Sequence, residues 1–313
     1  MQAAPRSRPL RALAIRLGAV AMLATMSALI KMAADRGVHL LEIMFWRQFV
    51  TIPIVLAWIG ATAGFGALAT RRPGTHLLRG LYGTFAMLLN FGAVILLPLA
   101  EATTMNFTAP IWAVVLSTLL LDEKVGVWRW SAVVLGFIGI VIIAQPGLGQ
   151  TGEQIPLFGA AVGLGGAFMI ALISIQIADL NRTERPLTIV FYFAAVSAPI
   201  TALALPFVYT PHDGTAWLLL LGIGLTGSAG QLLLTLALRY GTVASVIVMD
   251  YSALFWATLY GWLIFADLPP ASTWAGAPLI VTAGLLIAWR EHRLARIAPD
   301  KISRKDHAQL PGT

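Results

Sequence analysis

The sequence predicts an all-α integral membrane protein: ten transmembrane helices in two inverted five-helix repeats, with both termini in the cytoplasm. Three observations carry this. Hydrophobic residues make up 58% and charged residues only 11% of the 313-residue chain, and the mean hydropathy is +0.81, outside the balance of a water-soluble domain. The chain also matches itself at an offset of 144 residues: GLYGT at 80–84 falls on GLTGS at 224–228, and Trp112, Ala113 and Trp130 fall on Trp256, Ala257 and Trp274. Finally, the basic residues fall almost entirely in alternate connections, the pattern of a chain oriented by positive charge on its cytoplasmic side.

The elements follow in order. Crossing about 30 Å of hydrocarbon takes roughly 20 apolar residues at about 1.5 Å rise each. Ten stretches qualify, at 12–33, 40–60, 79–98, 101–121, 128–145, 157–178, 187–208, 215–238, 242–264 and 272–289. A basic N-terminus (1–11) precedes the first repeat (12–145). The segment PGLGQTGEQIP at 146–156 has the composition of an exposed external linker, followed by the second repeat (157–289) and a basic cytoplasmic tail (290–313). Five spans per unit is odd, so the second copy enters the membrane from the opposite face. The arginines before the first apolar run resemble a signal peptide, but the run is of spanning length and its pattern returns in the second repeat.

In this topology Arg6, Arg8, Arg11, Arg16, Arg71, Arg72, Arg79, Lys124, Arg129, Arg182, Arg185, Arg239, Arg290, Arg293, Arg296, Lys301, Arg304 and Lys305 are cytoplasmic. Arg36 alone lies outside, while Lys31 and Arg47 sit within spans. The net charge of +7 therefore encodes topology, with attraction to lipid headgroups added, and implies no nucleic-acid partner.

Several chemistries drop out. The chain has no cysteine, and its histidines, at 39, 76, 212, 292 and 307, are all read into loops or tails. No histidine-dependent hydrolase, metal site or cofactor is expected in the interior. TGSAG at 226–230 lacks a nucleophile elbow. The repeated glycine pairs Gly80/Gly83 and Gly224/Gly227 are followed by no phosphate-loop pattern, so they read as close-packing positions.

What remains are polar groups at depth. Asp250 stands in IVMDYSALFWATLYGW, about 12 Å into its span at about 1.5 Å per residue, and its equivalent in the first half is Asn106. A charge near the bilayer centre costs at least about 2.5–3.5 kcal/mol, so it must face protein or water. Asp250 either lines a cavity, binding a cationic group or carrying a coupling proton, or makes a structural bond to a neighbouring helix. Arg47 lies about 10 Å inside the second span by the same rise. It offers a planar fork to a substrate anion, or an ion pair to Asp250 or Glu42. Lys31 lies nearer the outer boundary, where it can snorkel or orient the span. Asn90 and Gln231 are the neutral polar groups most costly to leave unpaired in lipid. Trp112, Trp256 and Tyr251 either face a cavity and stack on cargo, or pack and anchor. Glu123 and Asp267 end their spans or gate them.

One segment is more specific. PLAEATTMNFTAPIWAVVLSTLLLDEK at 98–124 sets Glu123 thirteen residues after Pro110 and precedes a glycine-bearing span, VVLGFIGIVII; Lys31 and Arg47 stand in the first two spans. In these features both halves resemble the EamA unit of the drug/metabolite transporter superfamily. The second half departs, with Leu254 and Asp267 at the positions of the proline and glutamate. The resemblance implies an inner-membrane secondary transporter for a small polar or amphiphilic metabolite, such as an amino acid, nucleoside or vitamin. It further implies alternating access, proton-coupled or by exchange, with spans five and ten peripheral. The mixed signs of Arg47 and Asp250 lean toward a zwitterionic or amphiphilic cargo. The alternatives are a passive channel and a lipid-processing membrane enzyme. The expected partners are the substrate, the bilayer and protons, and the sequence neither requires nor forbids a homodimer.

Overall fold

The computed structural model describes residues 9–62, 64–120, 127–144, 156–180, 183–240, 250–286 and 289. These residues form helices and no strand. In order they are α1 (Pro9–Asp35), α2 (Leu40–Thr62), a 3-10 turn (Phe65–Leu68), α3 (Pro73–Leu96), α4 (Leu99–Asn106), α5 (Ala109–Leu120), α6 (Val127–Ala144), α7 (Leu157–Leu180), α8 (Pro186–Ala202), a single turn α9 (Leu205–Val208), α10 (Gly214–Tyr240) and α11 (Ser252–Phe265). A last apolar helix, α12, covers Ala271–Leu286.

Local chemistry sets the starts. Pro73 and Pro186 open α3 and α8, where a missing N–H costs nothing. Asp213 caps α10, its Oδ1 accepting from Ala216 N at 2.8 Å. Inside the helices, hydroxyls turn back onto the preceding turn, as Thr84 does on Gly80 O and Thr226 on Gly222 O, both within 2.8 Å. That satisfies them where lipid offers no partner.

Four helices are long and apolar enough to cross a bilayer unaided: Ala14–Asp35, Leu40–Thr62, Pro73–Leu96 and Gly214–Leu234. α7 is as long as α3, 24 residues each; several of the others are shorter apolar pieces, and the fourth stretch shows one reason. Its chain turns at Phe107–Thr108 between α4 and α5. Pro110 has no N–H for the carbonyl of Asn106, so a continuous α-helical ladder is impossible there. The equivalent point in the second half is a short 3-10 turn at Asp250–Tyr251, immediately before α11.

Packing joins the halves rather than separating them. α1 lies along α10 and α7 along α3, the same relation with the halves exchanged; α2 packs on α8, and α2–α10 repeats as α8–α3. Small residues allow the approach. A Cβ on Gly80 would come within 2.4 Å of Val196, and one on its equivalent Gly224 within 2.5 Å of Val50. At the edge, a Cβ on Gly139 would come 2.8 Å from the carbonyl of Gly276, so α6 and α12 also meet. Val134, Ile138 and Val141 on α6 remain exposed, an apolar face suited to lipid.

Candidate functional site

The bundle has two unlike ends. At one, α1 finishes and α2 and α10 begin. Glu42 is fully buried there, with His212 Nε2 2.9 Å from its Oε2, while Trp46 Nε1 donates to its Oε1 at 3.3 Å. The His212 contact is a close approach without hydrogen-bond alignment, since neither atom finds an aligned partner. Arg36 and Asp213 add an exposed contact at 3.5 Å. This end is closed.

At the other end, α2 and α7 finish and α3 and α8 begin. Arg72 pairs with Asp179, Thr70 donates to Glu184 at 2.6 Å, and buried His76 lies 3.9 Å from the same carboxylate. Beside this group a cavity of about 1530 Å³ runs inward between α2, α3, α8 and α10, its walls including Trp58, Arg79, Arg185, Phe193, Ser228 and Gln231. Thr51 and Ser228, 2.9 Å apart, join α2 to α10 at its wall.

Two guanidinium groups dominate this interior. Arg79 is only 6% exposed and stacks over Phe193, 4.6 Å from the ring centre. Its Nε and Nη1 donate to nothing. Arg47 is 7% exposed; its Nη1 donates to Gln48 Oε1 at 2.9 Å and approaches Met87 Sδ at 3.5 Å, and its Nε has no partner. Among the described residues no carboxylate lies within ion-pair distance of either. An uncompensated buried charge costs about 3–5 kcal/mol, so both need some other compensation. The fold makes room for them: a Cβ on Gly83 would come 2.2 Å from Arg79 Nη1, and one on the repeat-equivalent Gly227 would come 2.8 Å from Met26 Sδ and 3.3 Å from Arg47 Nε. The glycine pairs serve packing with their first members and arginine niches with their second.

Asp250 has a different partner from those expected. Arg16 grips it with both fork nitrogens, Nε to Oδ1 and Nη2 to Oδ2, each at 2.6 Å. Arg16, read from sequence as a cytoplasmic charge, therefore ties α1 to the start of α11. Glu42 likewise binds His212 and Trp46 rather than Arg47. The residues after the repeat-equivalents Asn106 and Asp250 touch, Phe107 and Tyr251 meeting edge to face at 5.1 Å. Asn106 Oδ1 is buried without a partner.

The remaining expected residues scatter. Lys31 does not snorkel: its Nζ donates to Leu97 O at 2.8 Å and lies over Phe265. Asn90 donates to Ala86 O at 2.8 Å, and Gln231 lines the cavity. Trp112 stands between Phe137 and Phe168, and Trp256 beside Phe255 and Tyr260, each indole N–H unpartnered. Asp267 is exposed just past α11, whose end at Ala266 is left-handed with φ 56°. Glu123 lies outside the described residues.

Sequence reasoning missed Arg79, Arg16, Glu101 and two histidines. Arg79, read as a cytoplasmic charge at the very start of its span, sits nearly two turns inside α3; Gly83 four residues on was the available signal. Glu101 is fully buried on α4 and accepts from Thr273 at 3.1 Å. His76 and His212, expected in loops, are buried against Glu184 and Glu42.

Two related halves of apolar helices thus enclose a cavity of small-molecule size. The chain belongs to the EamA-like transporter family, whose model matches residues 10–145 and 157–289. It is 30% identical over 249 residues to a riboflavin transporter of Vibrio cholerae, covering 79% of this chain and 82% of that one. It is 28% identical to an S-adenosylmethionine uptake transporter of Rickettsia felis, with 87% and 88% covered. A third relative, the pseudopaline exporter CntI of Pseudomonas aeruginosa, is 29% identical, with 84% and 90% covered. A solved crystal structure shares the fold at TM-score 0.60 and 20% identity, covering 90% of this chain and 98% of that one. The protein is thus a multi-pass membrane transporter of a small molecule rather than an enzyme.

Proposed function

We propose that this is a secondary active transporter of the inner membrane that carries a small organic metabolite by alternating access. The chain crosses ten times, as repeats at 12–145 and 157–289, with both termini cytoplasmic. The observation that carries this is the asymmetry of the bundle: a cavity between the halves reaches one end, while the Glu42–His212 contact closes the other. A continuous pore would have no such block. The positive-inside reading makes the Arg72 end cytoplasmic, so this conformation faces inward. Exchange of the open end requires the halves to rock about the site, which the exchanged helix pairings favour. Drive comes from a proton gradient or from counter-exchanged solute. Arg79, Gln231 and Ser228 form the cavity wall and Arg47 lies next to it. The Asn106 and Asp250 breaks act as joints near the axis between halves, and Lys31 belongs to the closed end.

The chain is cysteine-free, so single cysteines report sidedness directly. Thr62→Cys should react with an impermeant maleimide only in inside-out vesicles, and His39→Cys only in intact cells; the reverse pattern would overturn the orientation. Proteoliposomes loaded with amino acids, nucleosides or vitamins should show counterflow of the true cargo, with or without a pH gradient. Flux that internal cargo never stimulates would mean a channel.

A further inference from the structure

We infer that the cavity recognises its cargo through an anionic group, a carboxylate or phosphate, held by Arg79 and, deeper in, by Arg47. The inference rests on the carrier reading and names the substrate class of that same site.

Neither guanidinium has an acid within ion-pair distance among the described residues. Three other arginines have acids: Arg16 has Asp250, Arg36 has Asp213 and Arg72 has Asp179. Arg79 lines the cavity, is more than nine-tenths buried, and leaves Nε and Nη1 unpartnered. No carboxylate stands among the lining residues, whereas a second cation, exposed Arg185, stands at the mouth. A cleft of one sign with low-dielectric walls concentrates counter-ions. Guanidinium is the side chain best shaped to take carboxylate or phosphate through two parallel bonds.

The arrangement is also built. Phe193 and Phe91 set the faces on which Arg79 and Arg47 lie, and Gly83 and Gly227 keep their niches open. Arg185 and Arg79 line the cavity, and Arg47 stands one helical turn from Thr51, which bonds the cavity-wall residue Ser228. Trp58 and Phe193 offer apolar surface in the cavity for the body of the cargo. The cavity exceeds the ordinary range of about 300–1,000 Å³ for small-ligand sites, so it accepts a metabolite with a substantial organic frame. A lipid headgroup supplies the same chemistry as a soluble metabolite, and the test must separate the two.

The experiment uses the full chain in nanodiscs of phosphatidylcholine alone, with probes in charge-differing pairs: adenosine with AMP, glucose with glucose 6-phosphate, and succinamide with succinate. At least one anion should bind tenfold or more tightly than its neutral counterpart. That excess should vanish in Arg79→Gln, survive in part in Arg79→Lys, and shrink in Arg47→Gln. Equal binding within every pair, or a preference that survives both glutamine variants, overturns the proposal. Should a variant fail to fold, the wild-type pairs remain decisive. If phosphatidylglycerol added to the nanodisc raises Tm through Arg79 while no soluble anion binds, the occupant is a headgroup and the cargo assignment fails. Counterflow then separates the two readings. Neutral cargo carried equally well by Arg79→Gln leaves the carrier standing without the anion site, whereas tight anion binding without counterflow does the opposite.

Discussion

Arg16 and Asp250 sit 234 positions apart in the chain and share two hydrogen bonds in a half-wet setting, the side chains 12% and 34% exposed. Charge-assisted bonds of this kind are worth about 1.5–3 kcal/mol. Asp250→Asn should therefore lower the Tm of the purified protein, and Arg16→Gln should lower it comparably, because each leaves a charge or its donors unanswered. The double variant should lose less than the sum of the two, and the exchange Arg16→Asp with Asp250→Arg should recover part of the loss. Strict additivity would mean that the pair is incidental. At this scale the sequence was legible in kind and illegible in pairing. It marked Asp250 as a group needing a partner, yet offered Arg47, the other charge read at depth, and it offered Arg47 in turn Glu42 because those two share a span. Arg16 and Arg79 looked like topological charges because they border cytoplasmic segments. Only three-dimensional packing shows that one is a tether and the other a cavity wall.

At the scale of elements, glycines decide how closely the helices come and where the buried arginines fit. Gly83→Ala drives a methyl into Arg79 Nη1 and also to 2.5 Å from Phe193. Overpacking of this sort costs about 1–3 kcal/mol, and here it also moves the guanidinium. The variant should lose Tm and transport together. Gly66→Ala, in the 3-10 turn where nothing lies within 4 Å, is the control and should leave both within error. The repeat was legible here because its period survives in glycines and tryptophans. The break between α4 and α5 was not read, although Pro110 stood in the quoted segment. A proline in an apolar run can mean a kink or an interruption, and the surrounding packing chooses.

For the whole molecule, opening and closing must be coupled across the bilayer. Cysteines at Glu42 and His212 joined by a short bifunctional methanethiosulfonate should hold that end shut. Counterflow should then stop, while a cysteine at Thr62 in the same chain stays reactive from the Arg72 end. Undiminished counterflow in the bridged protein would place the moving boundary elsewhere. The all-helical class and the family were legible from composition, the offset match and the EamA-like segment, since each is written in many residues at once. The closed end was not, because it depends on His212, one residue in a polar loop, folding down onto a carboxylate.

The pairing of α1 with α10 and α11 has a further consequence, for the order in which the protein is made. α1 emerges from the ribosome before α10 and α11, and the acid that answers Arg16 follows 234 residues later. At about 5–20 residues per second, that interval is roughly 10–50 s. Throughout it α1 must reside in or beside the insertion machinery with its arginine stretched toward the headgroups. Synthesis cut short before Asp250 would leave that charge permanently unanswered, a mark by which a membrane protease could tell an unfinished chain from a finished one.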